Sequence, residues 1–362
     1  MSRSITLKKI DGKPGKVYYP LQLNHNPKPA PGPGELLIRL QAAALNHRDH
    51  FQRQHLYPGI SFSNPILADG AGIVESFGPD TKSGPSLIGK RVILTPTRGW
   101  DSDPEGPETR LTTVGGAVGT TAGMAQDYIV VPEGEVELAP AHLSAAEAAA
   151  LPVVGVTAWR ALVTKSNNAL PGRNILITGI GGGVALAALQ FAVALGCNAY
   201  VTSGSSSKLS RAKTLGAKGG VSYRDADWDK QLLALLPQSR PFLDAVIDGA
   251  GGDIMARAVR LLKSGGVVSS YGMTVSPRMD WLMTAVLKNV ELRGSTMGSR
   301  REFADMVAFV REQEIRPVVS RVARGLDNFE EIEELFAIIR EGRQFGKLVV
   351  EIAPDEKASA KL

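Results

Sequence analysis

The first part of the chain is organised in short apolar runs that end at Gly, Pro, Asp or Ser. Runs of this length between turn-forming residues predict β-strands. Four of them are GELLIRLQAAAL (34–45), AGIVESFG (71–78), GKRVILTP (89–96) and AQDYIVVP (125–132). The pattern therefore predicts a β-rich region that extends to residue 150.

Two stretches near this region depart from the strand pattern. Residues 98–124 are rich in Gly, Thr and acidic side chains and have only weak periodicity, so they predict a long loop. Residues 144–163 favour a helix, with Ser144 placed to cap it and Glu147 three residues later.

From residue 173 the pattern alternates between strands and helices. The successive segments are NILITGI (174–180), ALAALQFAVALG (185–196), NAYVTSG (198–204), SKLSRAKTLGA (207–217), GVSY (220–223), DAVIDGA (244–250), IMARAVRLLKSG (254–265) and GVVSSYGM (266–273). This alternation predicts a parallel, doubly wound α/β sheet. Gly196, Gly216 and Gly265 follow helical runs and are expected to end them.

The last part of the chain carries two amphipathic patterns and a strand pattern. REFADMVAFVREQ (301–313) and FEEIEELFAIIREG (329–342) predict helices, and LVVEI (348–352) predicts a strand. The final segment, residues 353–362, is expected to be disordered.

Composition limits the class of protein. A chain of 362 residues with 43% hydrophobic and 21% charged residues is typical of two globular domains. The single cysteine, Cys197, excludes an internal disulfide and a four-cysteine zinc site. Without an apolar signal segment or membrane span, a cytoplasmic location is expected. The net charge is +5, and the basic residues are scattered along the sequence without a continuous Lys/Arg run. This disfavours nucleic acid as a partner.

A glycine cluster lies between a predicted strand and a predicted helix, in ILITGIGGGVALAALQ (175–190). Glycine allows a tight turn and a close approach of the backbone to a pyrophosphate, which the N-terminus of the helix then binds. This context predicts a dinucleotide site, although glycines that serve only a tight turn are the alternative. No GxxxxGK[ST] motif occurs, which disfavours a triphosphate-binding loop.

The strand that follows the glycine turn bears on the choice of cofactor. NAD-binding units place an acid about 20 residues after the turn to hold the ribose hydroxyls. The stretch AYVTSGSSSKLSRAKTLGA (199–217) contains no acid, but it offers Ser203, Lys208 and Arg211. These groups would accept a 2′-phosphate, so NADPH is the predicted cofactor. The alternative is that the serines only begin a helix.

Several motifs occur in an order typical of one superfamily. They are ALNHRD (44–49), LADGAGIV (67–74), LPVVGVTAWRAL (151–162), ITGIGGGVA (177–185), KTLGA (213–217), IDGAGG (247–252) and FGKLVV (345–350). With them the chain resembles the medium-chain dehydrogenase/reductase superfamily. It resembles most the zinc-free branch, which holds zeta-crystallin-like quinone oxidoreductases and zinc-type alcohol dehydrogenase-like proteins.

The resemblance implies a fold of two domains. A Rossmann doubly wound parallel sheet would span residues 156–297, and a β-rich GroES-like catalytic domain would combine residues 1–155 and 298–362. The positions that ligate catalytic zinc in related enzymes fall on Asn46, Asp69 and the neighbourhood of Val154, which do not complete a zinc site.

A second set of residues near Asp69 carries atoms that could ligate a metal. His47, His50 and His55 with Asp69 form a conceivable set, because histidines three apart fit some helical sites. The segment HRDHFQRQH (47–55) is instead interpreted as a solvated, polar helix start, and no metal is predicted. Arg48 and Asp49 are interpreted as a structural ion pair.

The resemblance also implies which residues hold the cofactor. Gly181 to Gly183 would cradle the pyrophosphate, and Ser203 and Lys208 would hold the 2′-phosphate. The full implied set is Asn46, Thr157, Gly181, Gly182, Gly183, Val184, Ser203, Lys208, Tyr223, Gly249, Ala250, Tyr271, Gly272, Met273, Thr296, Met297, Gly298, Gly346 and Lys347.

Asn46 and Tyr57 are the predicted catalytic residues. A tyrosine of quinone reductases maps onto Phe51, so its hydroxyl is missing, and Tyr57 is a candidate replacement. The alternative for Tyr57 is a packing residue before a Pro-Gly turn. Asn46 could donate to a substrate carbonyl or to the nicotinamide amide.

Chemistry without a metal favours an electrophilic substrate. Zinc activates ordinary ketones as a Lewis acid, whereas quinones and α,β-unsaturated carbonyls are activated by their own conjugation. The prediction is therefore an NADPH-dependent, zinc-independent oxidoreductase that transfers hydride to such small molecules. The alternatives are a metal-free reductase or dehydrogenase of ordinary carbonyls or alcohols, and a non-catalytic NADPH- or RNA-binding protein. The resemblance further implies a homodimer.

Overall fold

A computed structural model describes residues 1–354 of the protein. The predicted disordered tail, residues 353–362, therefore lies outside the described residues from position 355 onward. The chain separates into two compact units. The catalytic-type unit comprises Met1–Val153 and Ser299–Leu362, and the nucleotide-type unit comprises Val154–Gly298.

The strands are numbered in chain order. They are β1 (Ser2–Leu7), β2 (Leu21–Asn26), β3 (Glu35–Leu45), β4 (Asp69–Phe77), β5 (Arg91–Leu94), β6 (Thr97–Arg98), β7 (Thr112–Thr113), β8 (Tyr128–Pro132), β9 (Val136–Leu138), β10 (Asn174–Ile177), β11 (Asn198–Ser203), β12 (Gly219–Ser222), β13 (Leu243–Asp248), β14 (Leu262–Ser270), β15 (Glu291–Gly294), β16 (Val319–Arg324) and β17 (Lys347–Glu351).

The α-helices are numbered in the same way. They are α1 (His47–Arg53), α2 (Gly84–Leu87), α3 (Ala145–Ala149), α4 (Pro152–Trp159), α5 (Gly183–Ala194), α6 (Ser206–Thr214), α7 (Trp228–Leu235), α8 (Ile254–Leu261), α9 (Met283–Leu287), α10 (Arg300–Glu312) and α11 (Phe329–Glu341). A 3₁₀ turn covers Glu133–Glu135, and a π-helical segment, Arg160–Lys165, continues α4.

The sheet of the catalytic-type unit brings three strand ends together. Its strand order is β16-β17-β3-β4-β5-β9, and β8 also pairs with β3. The register places Leu348 of β17 opposite Leu45, and Ala44 opposite Asp69 of β4. The end of β3 and the starts of β4 and β17 therefore lie side by side. The four strands predicted in this region are confirmed, whereas the hairpin of β1 and β2 was not predicted.

The nucleotide-type unit contains a six-stranded parallel sheet of order β12-β11-β10-β13-β14-β15. The chain reverses its direction of winding between β10 and β13, which is the crevice where doubly wound folds bind ligands at their carboxyl strand ends. The predicted doubly wound parallel sheet is confirmed.

The predicted helix 144–163 is divided into several segments. The capping box is confirmed: the amide of Glu147 donates to Ser144 Oγ at 3.2 Å, and the amide of Ser144 donates to Glu147 Oε2 at 2.8 Å. The helix ends early because Pro152 lacks an N–H and begins the next helix instead.

Gly196 and Gly216 follow α5 and α6 with φ of 75° and 97°, in the left-handed region that favours glycine. The prediction that Gly265 ends a helix was wrong. Helix α8 already ends at Leu261, and Gly265 lies inside β14, where its amide donates to the carbonyl of Lys288.

The interpretation of residues 47–55 as a solvated helix start was also wrong. Arg48, Asp49, His50, Gln52 and Arg53 of α1 are buried. The terminal nitrogens of Arg48 and Gln52 are bonded internally, as detailed below, whereas Arg48 Nε and Gln52 Oε1 have no partner among the described residues. The polar segment therefore forms a buried helix, α1, in the core of this unit.

Between residues 1 and 354 the structure contains no helix that is both long and apolar enough to span a bilayer. The expected cytoplasmic location stays a prediction.

Candidate functional site

The candidate catalytic group lies where β3, β4 and β17 meet in the catalytic-type unit. The Lys347 ammonium donates to Asp69 Oδ2 at 2.6 Å, to Asn46 Oδ1 at 2.7 Å and to the carbonyl of Leu45 at 2.7 Å. Asn46 Nδ2 donates to the same Asp69 oxygen at 2.8 Å. We call Asn46, Asp69 and Lys347 the polar triad.

The polar triad is tied into the surrounding backbone. Asp69 Oδ1 accepts from the amide of Val153 at 2.7 Å, so both carboxylate oxygens are used. Asn46 is also the N-cap residue of α1, and its backbone amide donates to Asp49 Oδ2 at 2.7 Å. Since Asp69 is fully buried and Lys347 is 4% exposed, the two opposite charges neutralise one another away from water.

Helix α1 fixes part of the long loop between β5 and β8. The Arg48 guanidinium donates to the carbonyls of Val114 and Gly115 at 2.9 and 3.0 Å and to Asp49 Oδ1 at 3.3 Å. Gln52 Nε2 adds bonds to the carbonyl of Gly115 at 3.0 Å and to the next carbonyl at 3.1 Å. The predicted Arg48–Asp49 pair is present.

Tyr57 is half-buried and packs on Arg48, with the guanidinium carbon 4.9 Å from the centre of its ring. This is a cation–π contact that holds the phenol against α1. Tyr57 is not bonded to the polar triad, so its role as a proton donor stays a prediction.

The predicted glycine turn connects β10 to α5. Gly179 and Gly181 have φ of 67° and 128°, in the range of positive φ that favours glycine. No side chain caps the first turn of α5, and its N-cap residue is Gly182. The amide hydrogens at the start of this helix can therefore donate hydrogen bonds to an anion.

Lys208 of α6 lies across the glycine turn. A Cβ built on Gly181 would be 2.9 Å from Lys208 Cδ and 3.2 Å from its Nζ. Partial burial lowers the pKa of Lys208, and the nearby charge of Arg211 lowers it further. The amides of Gly179, Ile180 and Gly182 are bonded within the unit, so the first amides of α5 and the Lys208 ammonium are the groups here that suit a phosphate.

The end of β11 carries the remaining residues predicted for the adenosine end. Ser203 Oγ accepts from the amide of Ser205 at 3.2 Å, and the amide of Tyr223 donates to the carbonyl of Ser203 at 3.3 Å. The Tyr223 hydroxyl and Arg224 Nε would lie 2.7 and 2.8 Å from a Cβ built on Gly204. The structure thus brings these predicted residues together.

Ser205 also caps α6 by accepting from the amide of Lys208 at 3.5 Å. The alternative interpretation of the serine-rich stretch as a helix start is therefore correct for Ser205. Because Ser203 and Lys208 are not used by that cap through their side chains, the cap does not conflict with a phosphate site.

The carboxyl ends of β10 and β13 are joined by a buried hydrogen-bond network. Asp248 accepts from Thr178 Oγ1 at 2.7 Å and from the amides of Ala250 and Gly251 at 3.1 and 2.9 Å. Burial raises the pKa of Asp248. The network gives the loop after β13 a fixed shape, and a side chain at Gly249 would collide with the ring of Tyr271.

Helix α4 contacts the segment after β15. Thr157 Oγ1 lies 3.8 Å from the sulfur of Met297, which has a φ of 45°. A methionine in the left-handed region is uncommon, and such backbone is often found at functional sites. Thr157 and Met297, both predicted cofactor residues, are therefore neighbours.

Gly346 precedes Lys347 and has a φ of 112°. Any side chain there would collide with the carbonyl of Val318. Packing inside the catalytic-type unit therefore explains why this position is a glycine. The predicted contact of Gly346 with the cofactor stays a prediction.

Sequence reasoning missed three contributors. The sequence points to Asp69 only as a metal position, and it singles out neither Arg224 nor Thr178. Arg224 follows the predicted strand GVSY, and a cation just after that strand was the available signal. The bond between Asp69 and Lys347 joins residues 278 positions apart and leaves no local pattern.

The comparisons with known proteins agree with this architecture. The family model of the alcohol dehydrogenase GroES-like domain matches residues 32–141, and that of zinc-binding dehydrogenases matches residues 183–312. A zinc-type alcohol dehydrogenase-like protein YogA from Leptosphaeria maculans is 60% identical, over 97% of this chain and 100% of its own length.

Two further relatives span nearly the whole chain. A zinc-type alcohol dehydrogenase-like protein from Schizosaccharomyces pombe is 33% identical, over 94% of this chain and 95% of its own. A crystal structure of an NAD-dependent alcohol dehydrogenase matches with a TM-score of 0.82 and 30% identity, over 97% of this chain and 100% of that one.

The fold and the glycine turn define an NAD(P)-binding oxidoreductase with a GroES-like domain. The chain belongs to the medium-chain dehydrogenase/reductase superfamily, as the resemblance implied.

Proposed function

We propose that the protein is an NADPH-dependent reductase that transfers a hydride to a quinone or an α,β-unsaturated carbonyl compound without a metal ion. The observation that carries the proposal is the polar triad, in which an ammonium group lies between the side chains of Asn46 and Asp69.

A zinc ion does not fit the polar triad. Zinc prefers sulfur, imidazole and carboxylate ligands, whereas Asn46 offers an amide and Asp69 is already bonded through both oxygens. The Lys347 ammonium would also repel a divalent cation at this distance. Among residues 1–354 the structure contains no group of three or more His, Cys, Asp or Glu side chains that could hold a metal ion.

The cofactor does fit the nucleotide-type unit. The amides of the glycine turn and the start of α5 would bind the pyrophosphate, and Lys208 with Ser203 would bind the 2′-phosphate. Since one relative is named as NAD-dependent, NADH is the competing cofactor. The absence of an acid from residues 203–208 and the cations Lys208 and Arg211 favour NADPH.

When bound, NADPH supplies a hydride that, with one proton, reduces an enone to the saturated ketone or a quinone to the hydroquinone. Asn46 would donate a hydrogen bond to the substrate carbonyl oxygen, where negative charge develops. Tyr57, held on Arg48, would supply the proton. A hydrogen bond from Asn46 would polarise the carbonyl less than a metal ion does, so conjugated substrates are favoured.

We further propose that the protein forms homodimers through the edge of the parallel sheet. In the described part of the chain, β15 is the last strand of that sheet, and Leu292 on it is exposed. Three exposed apolar residues lie just before it: Met283, Val286 and Leu287. Apolar surface beside an open strand edge is a suitable surface for a second copy.

The first experiment is a titration with NADPH and NADH, followed by nicotinamide fluorescence. Loss of a charge-assisted bond costs about 1.5–3 kcal/mol, so Lys208→Ala is expected to weaken NADPH binding about 10–100-fold. NADH binding should change little. Lys213→Ala removes the same charge from an exposed position of α6 and serves as the matched control. Equal affinity of the wild type for both cofactors would contradict the NADPH assignment.

A substrate panel then tests the reaction. Quinones and enones should be reduced with NADPH, and the rate should be unchanged after dialysis against a chelator. Turnover of ordinary ketones or alcohols alone would favour the metal-free carbonyl reductase. If neither cofactor binds and RNA binding falls with salt, the non-catalytic alternative is correct.

A further inference from the structure

We propose that Lys347 is a positioning residue, which fixes the carboxamide of Asn46 so that its nitrogen is the group presented to the substrate. This inference rests on the proposed function in one respect, the role of Asn46 as a hydrogen-bond donor. In this proposal Lys347 acts on the substrate through Asn46, instead of contacting the cofactor as the resemblance implied.

The orientation of the Asn46 amide follows from the chemistry of its partners. An amide oxygen and nitrogen are hard to distinguish by shape, and their assignment depends on the hydrogen-bond network. A lysine ammonium can only donate, so the Asn46 atom 2.7 Å from Lys347 Nζ must be the oxygen. The atom 2.8 Å from the Asp69 carboxylate is then the nitrogen.

The ammonium has no capacity left for another role. Its three hydrogens match three acceptors, namely Leu45 O, Asn46 Oδ1 and Asp69 Oδ2. Asn46 Nδ2 uses one hydrogen on Asp69 and keeps a second, and Asn46 is half-buried, whereas Asp69 and Lys347 are buried. Asn46 is thus the member of the polar triad with a donor that remains for a ligand.

The sheet register makes the arrangement rigid. Lys347 begins β17 and Asp69 begins β4, on the two sides of the end of β3. Rotation of the amide would direct its nitrogen at the ammonium and its oxygen at the carboxylate, two unfavourable contacts in a buried site. Without the ammonium, this preference for one orientation is weakened.

The first test compares Lys347→Met with the wild type. Loss of a supporting partner of this kind typically lowers activity 10–100-fold, and we expect a fall of about that size in kcat. The dissociation constant for NADPH should change less than about twofold, since Lys347 acts through Asn46. Lys288, which donates to the carbonyls of Val259 and Leu262, provides the control Lys288→Met, expected to keep the wild-type kcat.

The double variant Lys347→Met/Asp69→Asn separates positioning from folding. It removes both buried charges, so its thermal midpoint should recover relative to Lys347→Met. Positioning predicts that kcat nevertheless stays low, because the ammonium is still missing. Recovery of kcat together with the midpoint would overturn the proposal, as would a wild-type kcat in folded Lys347→Met.

A readout without turnover keeps the inference separate from the proposed function. In protein labelled with ¹⁵N-asparagine, the side-chain amide of Asn46, assigned by its loss in Asn46→Ser, should show one proton slow to exchange with solvent. In folded Lys347→Met, which keeps the Asp69 acceptor, this protection should be lost. Unchanged protection would reject the positioning role even if the enzyme reduces quinones. Lost protection in a protein that reduces none of the panel would reject the proposed function alone.

Discussion

Asp49 is the buried carboxyl group of α1, 2% exposed to solvent. Burial raises its pKa from 3.8 to about 6, although the charge of Arg48 and the amide of Asn46 act in the opposite direction. Between pH 3.8 and about 6, Asp49 is therefore protonated in the folded protein but ionised in the unfolded chain. The stability that Asp49 contributes at low pH is lost as the pH rises through this window.

Asp49→Asn should remove that pH dependence. A shift of about two pKa units corresponds to about 3 kcal/mol, so the variant should gain up to this amount relative to the wild type between pH 4 and pH 7. Denaturant unfolding at both pH values measures the difference. A stability difference that is the same at pH 4 and pH 7 would show that folding does not raise the pKa of Asp49.

A substitution at Gly182 tests whether the glycine turn is needed for the fold or for NADPH binding. Its φ of −73° suits any residue, and the atom nearest to a Cβ built there is 4.0 Å away. Gly182→Ala should therefore keep or raise the stability, by about 0.4–1 kcal/mol through the unfolded state. NADPH binding should nevertheless weaken at least about 10-fold, because the methyl group would separate the backbone from the pyrophosphate.

Gly106→Ala is the control for this experiment, since a Cβ there also meets no atom within 4 Å and the residue lies outside the nucleotide-type unit. Cofactor affinity should be unchanged in it. Wild-type affinity in Gly182→Ala would mean that the turn does not approach the cofactor.

At the level of elements, capping determines where two helices begin. Helix α10 starts with the same type of capping box as α3: the amide of Glu302 donates to Ser299 Oγ at 3.1 Å, and that of Ser299 donates to Glu302 Oε2 at 2.8 Å. Ser299→Ala should lower the free energy of unfolding by about 1 kcal/mol.

Ser210→Ala removes an exposed serine from the interior of α6. It should raise the free energy of unfolding, because alanine is the better helix former. Thermal unfolding of both variants checks the pair. Equal effects of the two substitutions would show that the cap of α10 contributes no stability.

Elements with strong local signals were predictable from the sequence. The glycine turn, the Ser144 cap and the strand–helix alternation all depend on residues close in the chain. Helix α1 was misjudged, since its polar residues bond to loop carbonyls more than 60 positions away, such as that of Val114. The polar triad was found only in part, because its members approach one another through the register of three strands rather than through spacing.

At the level of the whole molecule, the proposed dimer depends on the exposed apolar residues beside β15. Leu287 is 71% exposed and Leu292 is 40% exposed. Leu287→Glu/Leu292→Glu should convert the dimer to a monomer in sedimentation experiments, because charges would be buried on association. Leu170→Glu, an exposed position of the same unit, should leave the dimer intact. A wild type that sediments as a monomer at all concentrations would contradict the proposal.

Lys347 lies in β17, the last strand within residues 1–354, and this position has a consequence for synthesis. Asn46 and Asp69 leave the ribosome 301 and 278 residues before Lys347. At about 5–20 residues per second, the interval is on the order of 15–60 s. During it Asp69 lacks its counter-charge and β3 lacks a neighbouring strand. A chain that terminates early therefore carries the glycine turn but no completed polar triad, because the triad forms only once translation has reached β17.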